Sequence, residues 1–316
     1  MMIFSRYERF VLTVVGALGA IDILLIAAKG IRVDWTGYGM IGAIGLGTIM
    51  LGLFYRFVRN DARIAETLIL TAGFILFTLV GSVFNYMLLP IHFPRIDEFL
   101  VGVDRLMGYD WPSLVTYIAQ WPGVSALLKV VYFTSLPQLV MVVLLLGFSG
   151  QSEKLAHFLM TGIVGALLSI VVWAFFPTFG TSAVWNLPDD VVRSAGLAVG
   201  PSYGLELIRL SKEGVDYLTP ANVLGLIGFP SFHTVMAAMS VVFTWRIAWV
   251  RLPVLALNIF MVPAILLHGG HHLSDVFGGL AVFTIAYFIA HYAINVLRDD
   301  RAASAPAGHV PAAPSR

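Results

Sequence analysis

Two histidines and one aspartate, His233, His271 and Asp275, have the types and spacing that phosphorus chemistry requires. His271 and Asp275 are four apart and share one face if their segment is helical. A carboxylate beside an imidazole fixes its tautomer and favours its protonated form. The other ring nitrogen is then free to attack phosphorus and form a covalent phosphohistidine. His233 could protonate the departing oxygen and afterwards activate an acceptor hydroxyl or water. Two imidazoles and a carboxylate suffice for such ping-pong transfer, so no metal and no cofactor is expected. Two competing readings come from the same residues. His271 and Asp275 could simply be an ion pair at a helix end, and His268, His271, His272 and Asp275 have ligand-like spacings that would also suit zinc.

The elements that must position these side chains are apolar. The 316-residue chain is 59% hydrophobic and 12% charged, with a mean hydropathy of +0.87. Soluble domains carry about 25% charged residues, so water is not the main solvent of this chain. A net charge of +1 gives no reason to expect a nucleic-acid partner, and the absence of cysteine excludes disulfides and thiolate chemistry. Eight stretches meet or approach the length of about 20 apolar residues that crosses a bilayer: 10–28, 37–57, 65–88, 124–148, 155–176, 231–249, 252–270 and 275–297. The expected fold class is therefore an all-α, polytopic transmembrane bundle of about eight spans, with the bilayer itself as a partner. Pro263 should kink the seventh span.

Short-loop basic residues set orientation. Arg6, Arg9, Arg56, Arg59, Arg63, Lys154, Arg246, Arg251, Arg298 and Arg301 all fall on one side of an eight-span chain. This predicts cytoplasmic N- and C-termini in a membrane of the bacterial inner type, or an endomembrane. His233 opens the sixth span and His271 closes the seventh, so topology places both histidine groups at the opposite face. The connections 89–123 and 177–230 lie on that face too. In the first, Ile96, Phe99, Leu100, Val103, Leu106 and Met107 recur at helical spacing with Asp97, Glu98, Asp104 and Arg105 opposite, as in a helix lying in the interface. Tyr203 to Lys212 forms a second amphipathic piece with Gly214 as its stop. Trp111-Pro112 and Trp121-Pro122 read as interfacial anchors. The Ala- and Pro-rich tail is expected to be disordered.

With these residues in view, the chain resembles the type 2 phosphatidic acid phosphatase superfamily. Pro230-Ser231-Phe232-His233-Thr234 is similar to its second signature, and His271-His272-Leu273-Ser274-Asp275-Val276 with Gly279 to its third. The paired His271-His272, the Phe-Pro-Ser-Phe-His context and Phe176-Pro177-Thr178 resemble the inositol phosphorylceramide synthase-like branch. The resemblance implies a six-helix phosphatase-like core over residues 65–297; the apolar runs add two N-terminal helices in 1–64, and composition a disordered cytoplasmic tail over 298–316. It makes His271 the nucleophile, Asp275 its orienting partner and His233 the general acid, with Ser231 and Thr234 assisting phosphate binding. The lysine and Arg-Pro of the first signature are absent, and Ile265 stands where the third signature carries arginine. Both missing groups neutralise phosphate oxygens. Lys129, Arg193, Arg209 and Lys212 are the cations that could substitute, Lys129 and Arg209 being assigned to substrate binding. The expected activity is phosphotransfer on a phospholipid or sphingolipid. Lipid phosphate hydrolysis is the alternative, and a transporter or an inactive homologue are the rivals. Oligomeric state is not encoded in any of these features.

Overall fold

The computed structural model describes residues 3–303, and it is an all-α bundle. Among the described residues six helices are long and apolar enough to cross a membrane: α1 (Arg6–Lys29), α2 (Trp35–Phe57), α3 (Ala62–Met87), α8 (Ser152–Phe175), α12 (Ala248–His268) and α13 (Leu273–Ala303, its membrane-crossing part ending at Arg298). The chain is thus an integral membrane protein. α12 runs through Pro253 and Pro263 as one helix.

The other two expected spans are shorter than the hydropathy run suggested. The stretch 124–148 divides at Thr134 into α6 (Pro122–Phe133) and α7 (Ser135–Phe148). The Thr134 and Ser135 hydroxyls donate back to the Val131 and Tyr132 carbonyls, which diverts backbone acceptors where the helix breaks. α6 instead forms a sharply bent pair with α5 (Trp111–Ile118), their axes 116° apart. The stretch 231–249 contains only α11 (Phe232–Thr244). At 1.5 Å per residue a helix this short covers about 20 Å, less than the hydrocarbon layer.

Arg6 Nη1 donates to the Leu297 carbonyl at 3.3 Å, so the first and last spans begin and end together at one end of the bundle. The α12–α13 turn and the start of α11 lie at the other. There, strands β1 (Arg32–Val33) and β2 (Tyr217–Leu218) pair in parallel, Arg32 opposite Tyr217, fastening the α1–α2 turn to the long connection before α11. Lys29 Nζ donates to the Met87 and Leu89 carbonyls, both at 2.6 Å, and so closes the C-terminal end of α3.

The connections form α4 (Asp97–Leu106), α9 (Asp189–Ala195) and α10 (Pro201–Glu213), the last ending at Gly214 as its spacing predicted. Two details differ from the sequence-based expectation. The polar face of α4 points inward: Asp97 and Asp104 are buried, while Phe99 and Leu106 are exposed. The acids are turned in because their partners lie in the α12–α13 turn. Trp111 is not an interfacial anchor but a core residue, 3% exposed, whose Nε1 donates to the Leu266 carbonyl. The tail expected to be disordered from residue 298 begins inside α13, which continues to Ala303; from 304 onward the tail lies outside the described residues.

Candidate active site

His271 and His233 face each other across a small cavity, ring centroids 6.1 Å apart. His271 Nδ1–H donates to Asp275 Oδ2 at 2.9 Å, and the same oxygen accepts the His272 backbone N–H at 2.9 Å. This leaves the lone pair on His271 Nε2, 3.4 Å from Ser231 Oγ, on a ring that lines the cavity. The i, i+4 spacing bridges the last residues of the turn and the first turn of α13, so the carboxylate comes back over the imidazole. His233 is held from the other side, stacked on Tyr132 of α6 with centroids 4.5 Å apart and planes 25° apart. The two histidine segments also touch through backbone: Ser231 N–H donates to the Asp275 carbonyl at 3.0 Å. Gly279 makes this approach possible, because a Cβ there would lie 2.7 Å from Thr234 Cβ.

The second histidine of the pair faces away. His272 is 0% exposed and lies between two carboxylates, Nδ1 at 3.2 Å from Asp104 Oδ2 and Nε2 at 3.7 Å from Asp97 Oδ1. Burial disfavours its charged form, but the two acids outweigh that and push its pKa up to about 9. Burial likewise opposes ionisation of Asp97 and Asp104, yet contacts with His272 hold both below the usual carboxylate range, helped by Arg95 at Asp97 and by Ser274 at Asp104. Arg95 Nε donates to Asp97 Oδ2 at 2.8 Å. Charges therefore alternate along Arg95, Asp97, His272 and Asp104.

Asp104 also caps α13 from a distant part of the chain. It accepts the Leu273 N–H at 3.0 Å, the Ser274 N–H at 2.9 Å and the Ser274 hydroxyl at 2.8 Å. Those amides are first-turn donors without partners inside the helix, and a carboxylate is favoured at that end of the helix dipole. Asp97 Oδ1 accepts the Phe179 N–H at 3.0 Å.

The segment after α8 is the beam to which these parts are tied. Pro177 accepts from Ile96, Thr178 Oγ1 accepts from Phe229 N–H at 2.6 Å, and Thr181 N–H donates to Gly270 at 2.7 Å. Gly180 has φ +78° and sits against the Gly270 carbonyl, where a Cβ would collide. Phe176-Pro177-Thr178 thus bears on the site through the loop that holds both histidine segments.

The remaining sequence-predicted residues are placed as follows. Ser231 caps α11, accepting the Thr234 N–H, and its hydroxyl lies 3.4 Å from His271 Nε2. Thr234 Oγ1 is buried without a partner against α13. Neither lines the cavity. Lys129 Nζ donates to the Gly196 carbonyl at 2.9 Å, and Arg209 pairs with Glu206 and Glu213 on the exposed face of α10. Ile265 is buried in the core. His268 donates through Nε2 to the Ser125 carbonyl, fixing the end of α12 to α6. Among the described residues no group of three His, Asp or Glu side chains is arranged to hold a metal ion. Sequence reading missed Asp97, Asp104 and Tyr132. The two acids stand seven apart on one helical face, a signal of a shared partner, but nothing local named His272 as that partner.

With this geometry in place, the family model described as the PAP2 superfamily matches residues 98–289, more than half of the chain. The chain belongs to the PAP2 superfamily. The match begins within α4 and runs through most of α13, so it includes both histidine segments and Asp104, while Asp97 and the helices α1, α2 and α3 lie before it. No curated protein and no solved structure matches the chain.

Proposed function

We propose that this PAP2-superfamily protein transfers a phosphoryl-bearing group from a membrane lipid through a phosphohistidine on His271. The observation that carries this reading is the pairing of an Asp275-oriented His271 with His233 across one cavity. In the first half-reaction, His271 Nε2 bonds to phosphorus while the bond from phosphorus to the leaving oxygen breaks. His233 gives that oxygen its proton. Asp275 accepts the hydrogen bond from Nδ1–H and stabilises the positive charge that appears on the ring. In the second half-reaction, His233 takes the proton from an acceptor hydroxyl, whose oxygen displaces His271.

The lining of the cavity supports a diester as the substrate. Tyr132, Phe179, Tyr203, His233, His271 and several glycines surround it, with no lysine or arginine among the described lining residues. A phosphodiester carries one negative charge, whereas a phosphomonoester carries between about 1.5 and 2 at neutral pH. A cavity lined by two imidazoles and two tyrosines, without a lysine or arginine, suits the smaller charge. The paired histidines and the Phe-Pro-Ser-Phe-His context make inositol-bearing phosphodiesters the first donors to try, as in the inositol phosphorylceramide synthase-like branch. The orientation of basic loops supports a cavity that opens on the periplasmic or lumenal face.

The test is to incubate the purified protein with a phosphodiester lipid labelled at phosphorus and quench it in alkali. Acid-labile label on a peptide containing His271 is expected. Chromatography of the products with and without inositol or another alcohol separates transfer from release of a phosphomonoester to water. Turnover with no phosphoenzyme, in a His271→Ala variant as active as the wild type, would exclude the mechanism.

A further inference from the structure

A second cavity lies beside the first, a slot between α3, α7, α8 and α11 that opens on the bundle surface at Thr78 and Leu136, and the mechanism above does not use it. It has a volume of about 390 Å³, against about 70 Å³ for the catalytic cavity. Its walls are the halves of α3, α7, α8 and α11 nearest the histidine end, with Phe77, Leu136, Leu139, Ala166, Ile170 and Met236 among them. Gly225 and Ile227 border both cavities. The segment 223–227 that separates them is pinned on each side by a tyrosine: Tyr86 OH accepts the Leu224 N–H at 2.7 Å, and Tyr203 OH donates to the Gly225 carbonyl at 2.8 Å.

Four polar side chains, Thr78, Ser82, Asn85 and Tyr86, interrupt the apolar lining, and one of them is unsatisfied. Asn85 is 8% exposed, lines this cavity, and its Oδ1 has no hydrogen-bond partner. A buried amide oxygen without a partner is unfavourable, and polar groups within spans are retained where they meet a ligand or another polar group. Thr78 and Ser82 stand on the same cavity-facing side of α3 at helical spacing, but their hydroxyls bond back to the Ile75 and Leu79 carbonyls. Asn85, the member nearest the catalytic end, is the one left open.

We propose that this slot holds the hydrocarbon chain of the lipid substrate and that Asn85 hydrogen-bonds the polar linkage between chain and phosphate-bearing part. The proposal rests on the reading of His271 and His233 as a phosphotransfer site. An apolar slot that abuts the phosphorus-binding cavity suits a molecule with a chain at one end and a phosphodiester at the other. Asn85 can both donate and accept, so an ester, amide or hydroxyl at the linkage completes its hydrogen bonding, and an ether does so poorly.

The experiment compares two phosphodiesters, a dioleoyl lipid and chain-free bis-p-nitrophenyl phosphate, as a ratio of kcat/KM. Ser82→Phe and Leu136→Trp each fill the slot from a different wall, and each is expected to lower the lipid-to-chain-free ratio at least about tenfold. Asn85→Leu, which is apolar and suits a spanning helix, is expected to lower kcat/KM for the diester-linked dioleoyl lipid by up to about tenfold and to leave the diether analogue within about twofold, as one hydrogen bond allows. An unchanged ratio in both slot-filling variants, or equal losses on diester- and diether-linked lipids in Asn85→Leu, overturns the proposal. A diazirine-tagged dioleoyl lipid separates this failure from failure of the phosphotransfer reading. Labelling of α3 and α8 without turnover by the wild type upholds the slot and sinks the reading, whereas normal turnover with labelling elsewhere sinks the slot.

Discussion

The turn between α12 and α13 presents adjacent histidines to two different regions. His271 faces a cavity and has one carboxylate, while His272 is buried between two. The first region leaves a ring nitrogen without a strong partner, which is what a nucleophile needs. The second holds an imidazolium among fixed charges, which is what an anchor needs. The difference arises from which element lies opposite: α11 with a polar N-terminus on one side, and α4 with two acids on the other. Identical side chains one residue apart thus acquire separate chemistry from their surroundings.

Substitutions that break this contrast should differ widely in effect. The largest is expected at the cavity, where His271→Ala should reduce kcat on a phosphodiester lipid by more than about 10⁴-fold with the melting temperature in detergent nearly unchanged, because it removes the atom that forms the covalent bond. His233→Gln should lower kcat by about 10²–10⁴-fold, and a lipid whose leaving group needs no proton, such as a nitrophenyl ester, should recover much of the formation of phosphoenzyme.

Changes on the His272 side should act first on stability. Asp104→Ala leaves a buried imidazolium and the first-turn amides of α13 without their acceptor, and removing one partner of a buried pair costs about 3–5 kcal/mol. A lowered melting temperature with a smaller loss of kcat than in His233→Gln is expected, and Asp104→Asn, which keeps an acceptor for the amides, should fall between. The pH dependence sharpens the same point. The pKa of His272 rises from its ordinary 6.5 to about 9 on folding. Its stabilising contribution is therefore complete below about pH 6.5 and is lost as pH rises through about 9, a change on the order of 3 kcal/mol. Thermal unfolding between pH 6 and 10 should show this decline, and His272→Gln should flatten it. The smallest effect is expected at Arg209→Ala, since Arg209 is spent on exposed pairs with Glu206 and Glu213 and lies off the cavity: kcat/KM should change less than about twofold.

Hydropathy made the long spans legible because each of them needs its own run of apolar residues, whatever its neighbours. It overstated α6–α7 and α11, since hydropathy does not register a helix that ends early: Thr134 and Ser135 break one run from within, and α11 stops at Thr244. The amphipathic period of α4 was visible, but its direction was not. Periodicity says which residues share a face, and only packing says what that face meets.

What the amino-acid sequence determined by itself is local or follows from counting: apolar runs long enough for a bilayer, an i, i+4 histidine and aspartate, and a parity of spans that carries His233 and His271 to the same end. These need no knowledge of partners, because helix geometry and the cost of bare backbone in lipid settle them. The tertiary structure alone decided that His272 is an anchor, that Asp104 caps a helix 170 residues away from it in the chain, and that Lys129 and Arg209 stand off the cavity. Each depends on which side chains meet across distant segments, and electrostatic roles follow those distances rather than the order of residues along the chain.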